Sequence, residues 1–259
     1  MAAYRFIETR FHEGTAIVTI NRPEVRNAMT PESWRELGDF VASVNARDDI
    51  HAVVITGAGD KAFVSGADIA SLKERTAIDT LDMSPQIATQ AIEQSPKPVI
   101  AAINGFAFGG GFELALACDL RITCDKTRLG LPEPGLGIIP GIGGTQRLAR
   151  CVGIGVAKEV ILAGRTISGE EAVLLGLALR CVPQAELLPS ALEVAASMKA
   201  RGPLALMMAK KLLHTALSTN QEAGLFMEKL ALCLLMDSKD KEEGTTAFIE
   251  KRKPSFIGK

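Results

Sequence analysis

One feature of the sequence constrains the possible fold most: a short apolar stretch that is followed by several glycines and then by a helical pattern. Residues 98–103 are all apolar, and they predict a short strand buried on both faces. Asn104-Gly105 predicts a turn. Gly109-Gly110-Gly111 then leads into residues 112–118, which are patterned as a helix. We therefore expect this stretch in the interior of a layered fold.

Strand and helix patterns alternate along the first part of the chain. Residues 16–20 and 52–56 are rich in β-branched and apolar side chains and predict two strands. Between them Thr30 is a suitable N-cap, and Pro31 suits the first position of a helix. A polar helical stretch is predicted over residues 70–94. This alternation indicates an α/β fold class.

The pattern becomes entirely helical from about Arg201. Three helices are predicted, which open at Gly202-Pro203, at Asn220 and at the charged run near Asp240. The second has an apolar stripe too wide for a solvated helix, which either packs on the core or forms a subunit interface. The stripe consists of Leu225, Phe226, Leu230, Leu232, Cys233, Leu235 and Met236.

Composition excludes several classes of protein. The 259 residues include 29 Lys and Arg and 30 Asp and Glu, so charge gives no drive toward nucleic acid or an anionic membrane. No window approaches the roughly 18 apolar residues that span a bilayer. The five cysteines are scattered, and the first residues lack a secretory pattern. We expect a cytoplasmic protein, although an organellar matrix protein after removal of its leader would look the same.

Most familiar catalytic motifs are missing. The sequence has neither the GxxxxGK[ST] phosphate loop nor the GxSxG serine motif. Its three histidines have no metal-binding spacing, so no metal is expected. Residues 141–146 resemble a dinucleotide fingerprint but are better interpreted as a tight turn before a helix, since Pro140 precedes them and Gln146 ends them. Any chemistry therefore falls to carboxylates and backbone amides.

Glu113 is the first candidate for such chemistry. It lies in the first turn of the helix that follows the three glycines, where backbone N–H groups have no partner within the helix. These groups could bind an oxyanion, and an apolar helix would desolvate Glu113 and shift its pKa toward neutrality. The alternative is a strand-to-helix junction in which Glu113 only interacts favourably with the helix dipole.

Glu133 is the second candidate. It is the only ionisable residue in the glycine-, proline- and leucine-rich residues 129–141. A carboxylate in such surroundings is costly without a partner, which makes it a candidate site residue. The alternative is an exposed glutamate in a turn beside proline. Twenty residues separate Glu113 from Glu133, and this spacing does not show that they meet.

Taken in order, these stretches resemble the crotonase (enoyl-CoA hydratase/isomerase) superfamily over nearly the whole chain. The matching stretches are Asn21-Arg22-Pro23-Glu24-Val25-Arg26-Asn27-Ala28, Phe63-Val64-Ser65-Gly66-Ala67-Asp68, residues 104–119, residues 131–148 and Phe248-Ile249-Glu250-Lys251-Arg252. The resemblance implies a spiral of ββα units, here residues 1–198, and a C-terminal helical trimerisation region, here residues 199–259. It also implies a homo-oligomer, either a trimer or a dimer of trimers.

The resemblance further assigns roles to individual residues. The backbone N–H groups of Ala67 and Gly110 would form an oxyanion hole for a thioester carbonyl. The substrate would be an acyl-CoA thioester, with no cofactor besides the coenzyme A that it contains. Residues matching the coenzyme A track are Arg26, Ala67, Asp68, Ile69 and Ala70, together with Phe248 and Lys251, which reach the nucleotide portion in the family, often from a neighbouring subunit.

The two glutamates indicate which reaction to expect within the superfamily. Hydratases carry Glu at both positions, whereas simple isomerases generally keep only the one matching Glu133. By this resemblance the chain is an enoyl-CoA hydratase, with Glu113 chiefly the base and Glu133 the proton donor to C2. Leu131 replaces the Gln of many short-chain hydratases and leaves the chain length of the acyl group open. The alternatives are an isomerase, a hydratase of a branched or cyclic acyl-CoA, and an RNA-binding or inactive family member.

Overall fold

The computed structural model describes residues 4–81 and 83–259. Met1–Ala3, on which the predicted lack of a leader partly rests, lie outside the described residues. Asp82, within the predicted polar helical stretch, also lies outside them. The strands are β1 (Ile7–His12), β2 (Thr15–Ile20), β3 (Ala52–Gly57), β4 (Ala62–Val64), β5 (Val99–Ile103), β6 (Phe106–Phe108), β7 (Leu120–Cys124), β8 (Arg128–Gly130), β9 (Ile167–Ser168) and β10 (Arg180–Val182). The helices are α1 (Pro31–Asn45), α2 (Ile69–Glu74), α3 (Ala77–Thr80), α4 (Ser84–Gln94), α5 (Gly110–Ala117), α6 (Gly144–Leu162), α7 (Gly169–Leu174), α8 (Leu187–Lys199), α9 (Pro203–Thr215), α10 (Gln221–Met236) and α11 (Lys239–Ile249).

The strands form two sheets, and from β3 to β8 successive strands join the larger and the smaller sheet in turn. The larger sheet has the order β1-β2-β3-β5-β7-β10, and the smaller has the order β4-β6-β8-β9. The strands β3, β5 and β7 join the larger sheet, and each is followed by a short strand of the smaller sheet and then by helix. All pairings between β2, β3, β5, β7 and β10 are parallel. This arrangement confirms the predicted α/β fold built from ββα units.

The larger sheet is covered on both faces, as its apolar strands require. Every residue of β5 is buried. One face packs against α8, where Ile17, Val54 and Ile100 contact a cluster that includes Leu187 and Ala191. The other face packs against α1, α4 and α5 in the main core. The predicted start of α1 is confirmed, because the Thr30 hydroxyl accepts a hydrogen bond from the Ser33 N–H.

The predicted helical stretch over residues 70–94 is helical in most of its described residues, but it is not one helix. The chain forms the three separate helices α2, α3 and α4 in this region. Thr76 starts α3 with a reciprocal pair of hydrogen bonds to Asp79, a capping box that begins a new helix. Met83 has a left-handed φ of 49° just before α4. Local side-chain hydrogen bonds therefore divide the stretch into separate helices, although the spacing of its apolar residues gives no sign of a break.

The three predicted C-terminal helices are confirmed as α9, α10 and α11, and Asn220 caps α10 as expected. No residue of α10 is buried, so the suggestion that its apolar stripe packs on the core of its own chain is wrong. Leu225 and Phe226 are 55% and 61% exposed, and Leu232 is 57% exposed. Among residues 4–81 and 83–259, none of the helices combines the length and apolarity needed to cross a membrane.

Candidate active site

The site forms where the ends of β4 and β6 lead into Ala67 and Gly110. A Cβ added at Gly111 would lie 2.0 Å from the Val64 carbonyl oxygen, so only glycine lets α5 lie this close to β4. Gly66 has a φ of +117°, and a Cβ there would lie 3.2 Å from the Phe108 carbonyl oxygen. The two chain segments that carry the predicted oxyanion amides therefore run side by side.

The backbone N–H groups of Ala67 and Gly110 have no acceptor among the described residues. Around Ala67, the neighbouring Gly66 carbonyl accepts from Met29 N–H at 2.9 Å, and Asp68 N–H donates to the Met29 carbonyl at 3.1 Å. This parallel bridge uses the groups on either side and leaves the Ala67 N–H unpaired. Gly110 is the first residue of α5, where a backbone N–H has no partner within the helix. Two donors are thus available to an external oxygen.

Glu113 lies in the first turn of α5 and is buried, with 1% of its surface exposed. Its Oε1 accepts two hydrogen bonds, from the N–H groups of Ile142 and Gly144, each at 2.7 Å. These amides belong to residues 140–144, which we call the holding loop. Oε2 of Glu113 has no hydrogen-bond partner among the described residues. One carboxylate oxygen is therefore fixed, and the other is available to a ligand.

Glu133 begins a short 3-10 turn, Glu133–Leu136, and is half-buried. A Cβ added at Gly109 would lie 2.8 Å from its Oε1, so this carboxylate lies against the glycines that open α5. Its Oε2 is buried and has no hydrogen-bond partner in the described part of the chain. An unpaired buried carboxylate oxygen is costly unless a ligand or water satisfies it.

The surroundings of both carboxyl groups favour their neutral forms. Burial is the main cause that raises the pKa of Glu113 to about 7; the negative charge of Glu133 adds to this, while the Gly144 and Ile142 amides and the charge of Arg147 oppose it. Burial also raises the pKa of Glu133. Glu133 lies against Gly109, whose carbonyl accepts a hydrogen bond from the Glu113 N–H at 3.0 Å, so the structure brings the two predicted residues to the same end of α5. We expect the pair to titrate as a coupled unit.

The raised pKa of Glu113 predicts a pH-dependent stability. Because the folded-state pKa of about 7 lies above the ordinary value of 4.5, folding favours the proton, and the free energy of unfolding falls as pH rises between these values. We expect Glu113→Gln, which cannot ionise, to be more stable than wild type by on the order of 3 kcal/mol at pH 8 and by much less at pH 5. Urea unfolding at both pH values measures this; an equal difference at the two would contradict it.

The predicted coenzyme A track is assembled near Ala67, except for its C-terminal members. The Arg26 carbonyl accepts from the Ser65 N–H at 3.1 Å, and Asp68 caps α2, which starts with the exposed Ile69 and Ala70. Phe248, 84% exposed on α11, and Lys251, exposed just after it, have no hydrogen bond to these residues in the described structure. Within one chain the structure therefore joins only the N-terminal members.

Sequence reasoning missed the partners of Glu113. The interpretation of residues 141–146 as a turn before a helix is confirmed by α6, but no role for its amides was predicted. The sequence did contain a signal for this role, because glycines before a helix leave unpaired N–H groups that bind carboxylates.

Leu131 is 1% exposed and belongs to the main core, so it does not present its side chain to solvent.

Comparisons with known proteins show the family of this chain. The profile of the family described as Enoyl-CoA hydratase/isomerase matches residues 10–259. A crotonyl-CoA hydratase of Syntrophomonas wolfei is 41% identical over 99% of this chain and 100% of its own length. A short-chain-enoyl-CoA hydratase of Clostridium acetobutylicum is 40% identical over 92% of each chain. The crystal structure of an enoyl-CoA hydratase from Bacillus anthracis superposes with a TM-score of 0.95 at 38% identity, over 98% of this chain and 100% of that one. The chain therefore belongs to the enoyl-CoA hydratase/isomerase family.

Proposed function

We propose that this protein is an enoyl-CoA hydratase, which reversibly adds water to a trans-2-enoyl-CoA to give a 3-hydroxyacyl-CoA. One observation carries the proposal: Glu113 and Glu133 each have a carboxylate oxygen without a protein partner, beside the unpaired N–H groups of Ala67 and Gly110. The names of the two curated relatives support the same reaction.

In the proposed mechanism one water lies between the two carboxyl groups. Glu113, ionised, accepts a proton from this water while the water oxygen bonds to C3 of the enoyl group. The electrons of the C2–C3 double bond move toward the thioester, and the N–H groups of Ala67 and Gly110 stabilise the negative charge on its oxygen. Glu133, protonated, then delivers its proton to C2, and the proton held by Glu113 returns to Glu133 through exchange with water before the next turnover. Since water and proton come from the same side, the addition is syn.

The pKa directions support acid–base roles for both glutamates, and which of them carries the proton before reaction is part of the proposal. A base whose pKa is about 7 is partly ionised near neutral pH and accepts a proton well. Burial raises the pKa of Glu133, which favours the protonated donor. The overall reaction consumes one water and no redox equivalent, so we propose that it needs no cofactor besides the coenzyme A of the substrate.

The test is an assay of the purified protein with crotonyl-CoA, in which the absorbance of the conjugated enoyl thioester is followed. Loss of absorbance with 3-hydroxybutyryl-CoA as product is the expected result, and a panel of longer, branched and cyclic enoyl-CoA substrates then defines the acyl preference. A 3-enoyl-CoA run in parallel tests isomerisation. Turnover of the 3-enoyl-CoA without hydration of any 2-enoyl-CoA would overturn the proposal.

We also propose that residues 199–259 form a self-association region attached to a catalytic core of residues 1–198. Leu225, Phe226 and Leu232 on α10 are each more than half exposed, and a second copy of the chain is an occupant that would cover them. Phe248 and Lys251 are exposed as well, so a neighbouring subunit could use them to contact coenzyme A. Light scattering after gel filtration should give a mass of three or six chains; a 27.5 kDa monomer would exclude this.

A further inference from the structure

The holding loop is itself fixed by side chains that lie outside the glutamate pair. The Gly141 carbonyl accepts a hydrogen bond from Gln86 Nε2 on α4 at 3.0 Å. This carbonyl and the Ile142 N–H that binds Glu113 belong to the same peptide unit. Because hydrogen bonds at the two ends of a peptide polarise each other, the contact from Gln86 strengthens the one to Glu113.

Arg147, in the first turn of α6, fixes the next peptide of the holding loop. Its Nη1 donates to the Ile142 carbonyl at 2.6 Å. Its Nε and Nη2 donate to the two carboxylate oxygens of Glu93 at 2.7 and 2.6 Å. The two side chains are only 15% and 25% exposed, so solvent screens this pair less than a surface pair. A two-pronged contact of this kind sets the orientation of the guanidinium, and lysine cannot reproduce it.

The backbone of the holding loop is shaped to accept this guanidinium. Gly143 has a φ of +106°, and a Cβ there would lie 2.3 Å from Nη1 of Arg147. Any other residue at this position would therefore displace the arginine. No hydrogen bond joins Arg147 or Glu93 to either catalytic glutamate among the described residues. Their influence on Glu113 passes through the peptides of the loop and through charge.

We propose that Arg147, oriented by Glu93, is a positioning residue for the hydration: it fixes the holding loop so that the amides of Ile142 and Gly144 hold Glu113 where it can take a proton from water. The inference rests on the proposed function. A reacting group displaced by about 1 Å can lose about 10²-fold in rate. Since Arg147 makes no hydrogen bond to the described residues of the predicted coenzyme A track, the loss should fall on kcat and leave KM nearly unchanged.

The experiment compares Arg147→Met, Arg147→Lys and Glu93→Gln with wild type in the crotonyl-CoA assay. Arg165→Met is the matched control, because Arg165 likewise forms ion pairs with glutamate, here Glu159 and Glu171, but lies beyond the end of α6 that is far from the holding loop. We expect kcat to fall about 10²-fold in both Arg147 variants and about tenfold in Glu93→Gln, with KM within about threefold of wild type. The control should keep wild-type kinetics.

The pH profile separates positioning from a general loss of stability. The charged groups that act on Glu113 are Glu133 and Arg147. Arg147→Met removes the positive charge that favours ionised Glu113, so the acidic limb of kcat/KM should move to higher pH. Arg147→Lys keeps the charge, so its limb should stay near that of wild type while kcat falls. Adding Glu93→Gln to Arg147→Met should lower kcat no further, since both act through one contact.

Wild-type kcat and an unmoved acidic limb in both folded Arg147 variants would overturn the inference while leaving the hydration intact. An inactive wild type would overturn the hydration first and this inference with it. Thermal melting identifies a variant that does not fold. In that case Gln86→Leu, which leaves the ion pair in place, tests the loop through Gly141 instead: an unchanged kcat would count against the inference, and a fall of about tenfold would support it.

Discussion

Glu113→Gln is expected to lower kcat for crotonyl-CoA hydration about 10²–10⁴-fold and to change KM by less than about threefold. The amide oxygen of glutamine can still accept the hydrogen bonds from Ile142 and Gly144, so the shape of the site is kept. What is lost is the ability to take a proton from water. Steady-state kinetics in the hydration direction measure the effect, with circular dichroism to verify the fold.

Glu133→Gln should show a loss of similar size for a different reason, because it removes the donor of the proton to C2. Glu193→Gln is the matched control, since Glu193 pairs with Arg180 on the exposed side of α8, away from the site. Dehydration of 3-hydroxybutyryl-CoA must be slowed in both site variants as well, because the same groups act in reverse. Wild-type turnover in Glu113→Gln and Glu133→Gln would exclude the proposed acid–base pair.

The features that could be predicted from the sequence are those set by neighbouring residues. The buried strand at residues 98–103, the cap at Thr30 and the starts of α9 and α10 each depend on a few adjacent side chains. The environment of Glu113 was predictable in the same way, because the three glycines and the apolar helix surround it along the chain. Burial in that helix then raises its pKa as expected.

The features that could not be predicted depend on residues far apart in the chain. Arg147 and Glu93 are 54 positions apart, and Gln86 and Gly141 are 55 apart, so no local pattern joins them. The approach of Glu133 to α5 is set by the packing of β8 beside β6, which carries the chain to the same edge of the smaller sheet. The family resemblance supplied that contact in advance, whereas spacing could not.

The break of the predicted helix at residues 70–94 has a different cause. Thr76 and Asp79 form a capping box, a local signal that the apolar spacing obscured. The exposed stripe of α10 is a third case, since its apolar residues follow the helical period but face outward from their own chain. Apolar periodicity shows that one face of a helix is apolar, but it does not show what packs against that face.

Gly110→Pro is expected to lower kcat/KM about 10²–10³-fold, the loss typical when one oxyanion donor is removed. Proline has no backbone N–H, and Gly110 is the first residue of α5, the helical position at which proline is best tolerated. The N–H that is lost has no acceptor in the described chain, so the fold gives up no hydrogen bond. The cost should therefore appear in catalysis rather than in stability.

Gly110→Ala is the control for the Cβ that proline adds, whereas the Cδ of proline takes the place of the N–H hydrogen itself. Its Cβ would lie 3.1 Å from Cδ1 of Ile142 and 3.5 Å from Cζ2 of Trp34, contacts that a small movement of the isoleucine relieves. Since alanine keeps the N–H, we expect Gly110→Ala to retain most of the wild-type kcat/KM. If the proline and alanine variants were equally active with crotonyl-CoA, the thioester oxygen would have to be bound elsewhere; a much lower activity of the proline variant at equal melting temperatures would place the thioester oxygen at the N–H of Gly110.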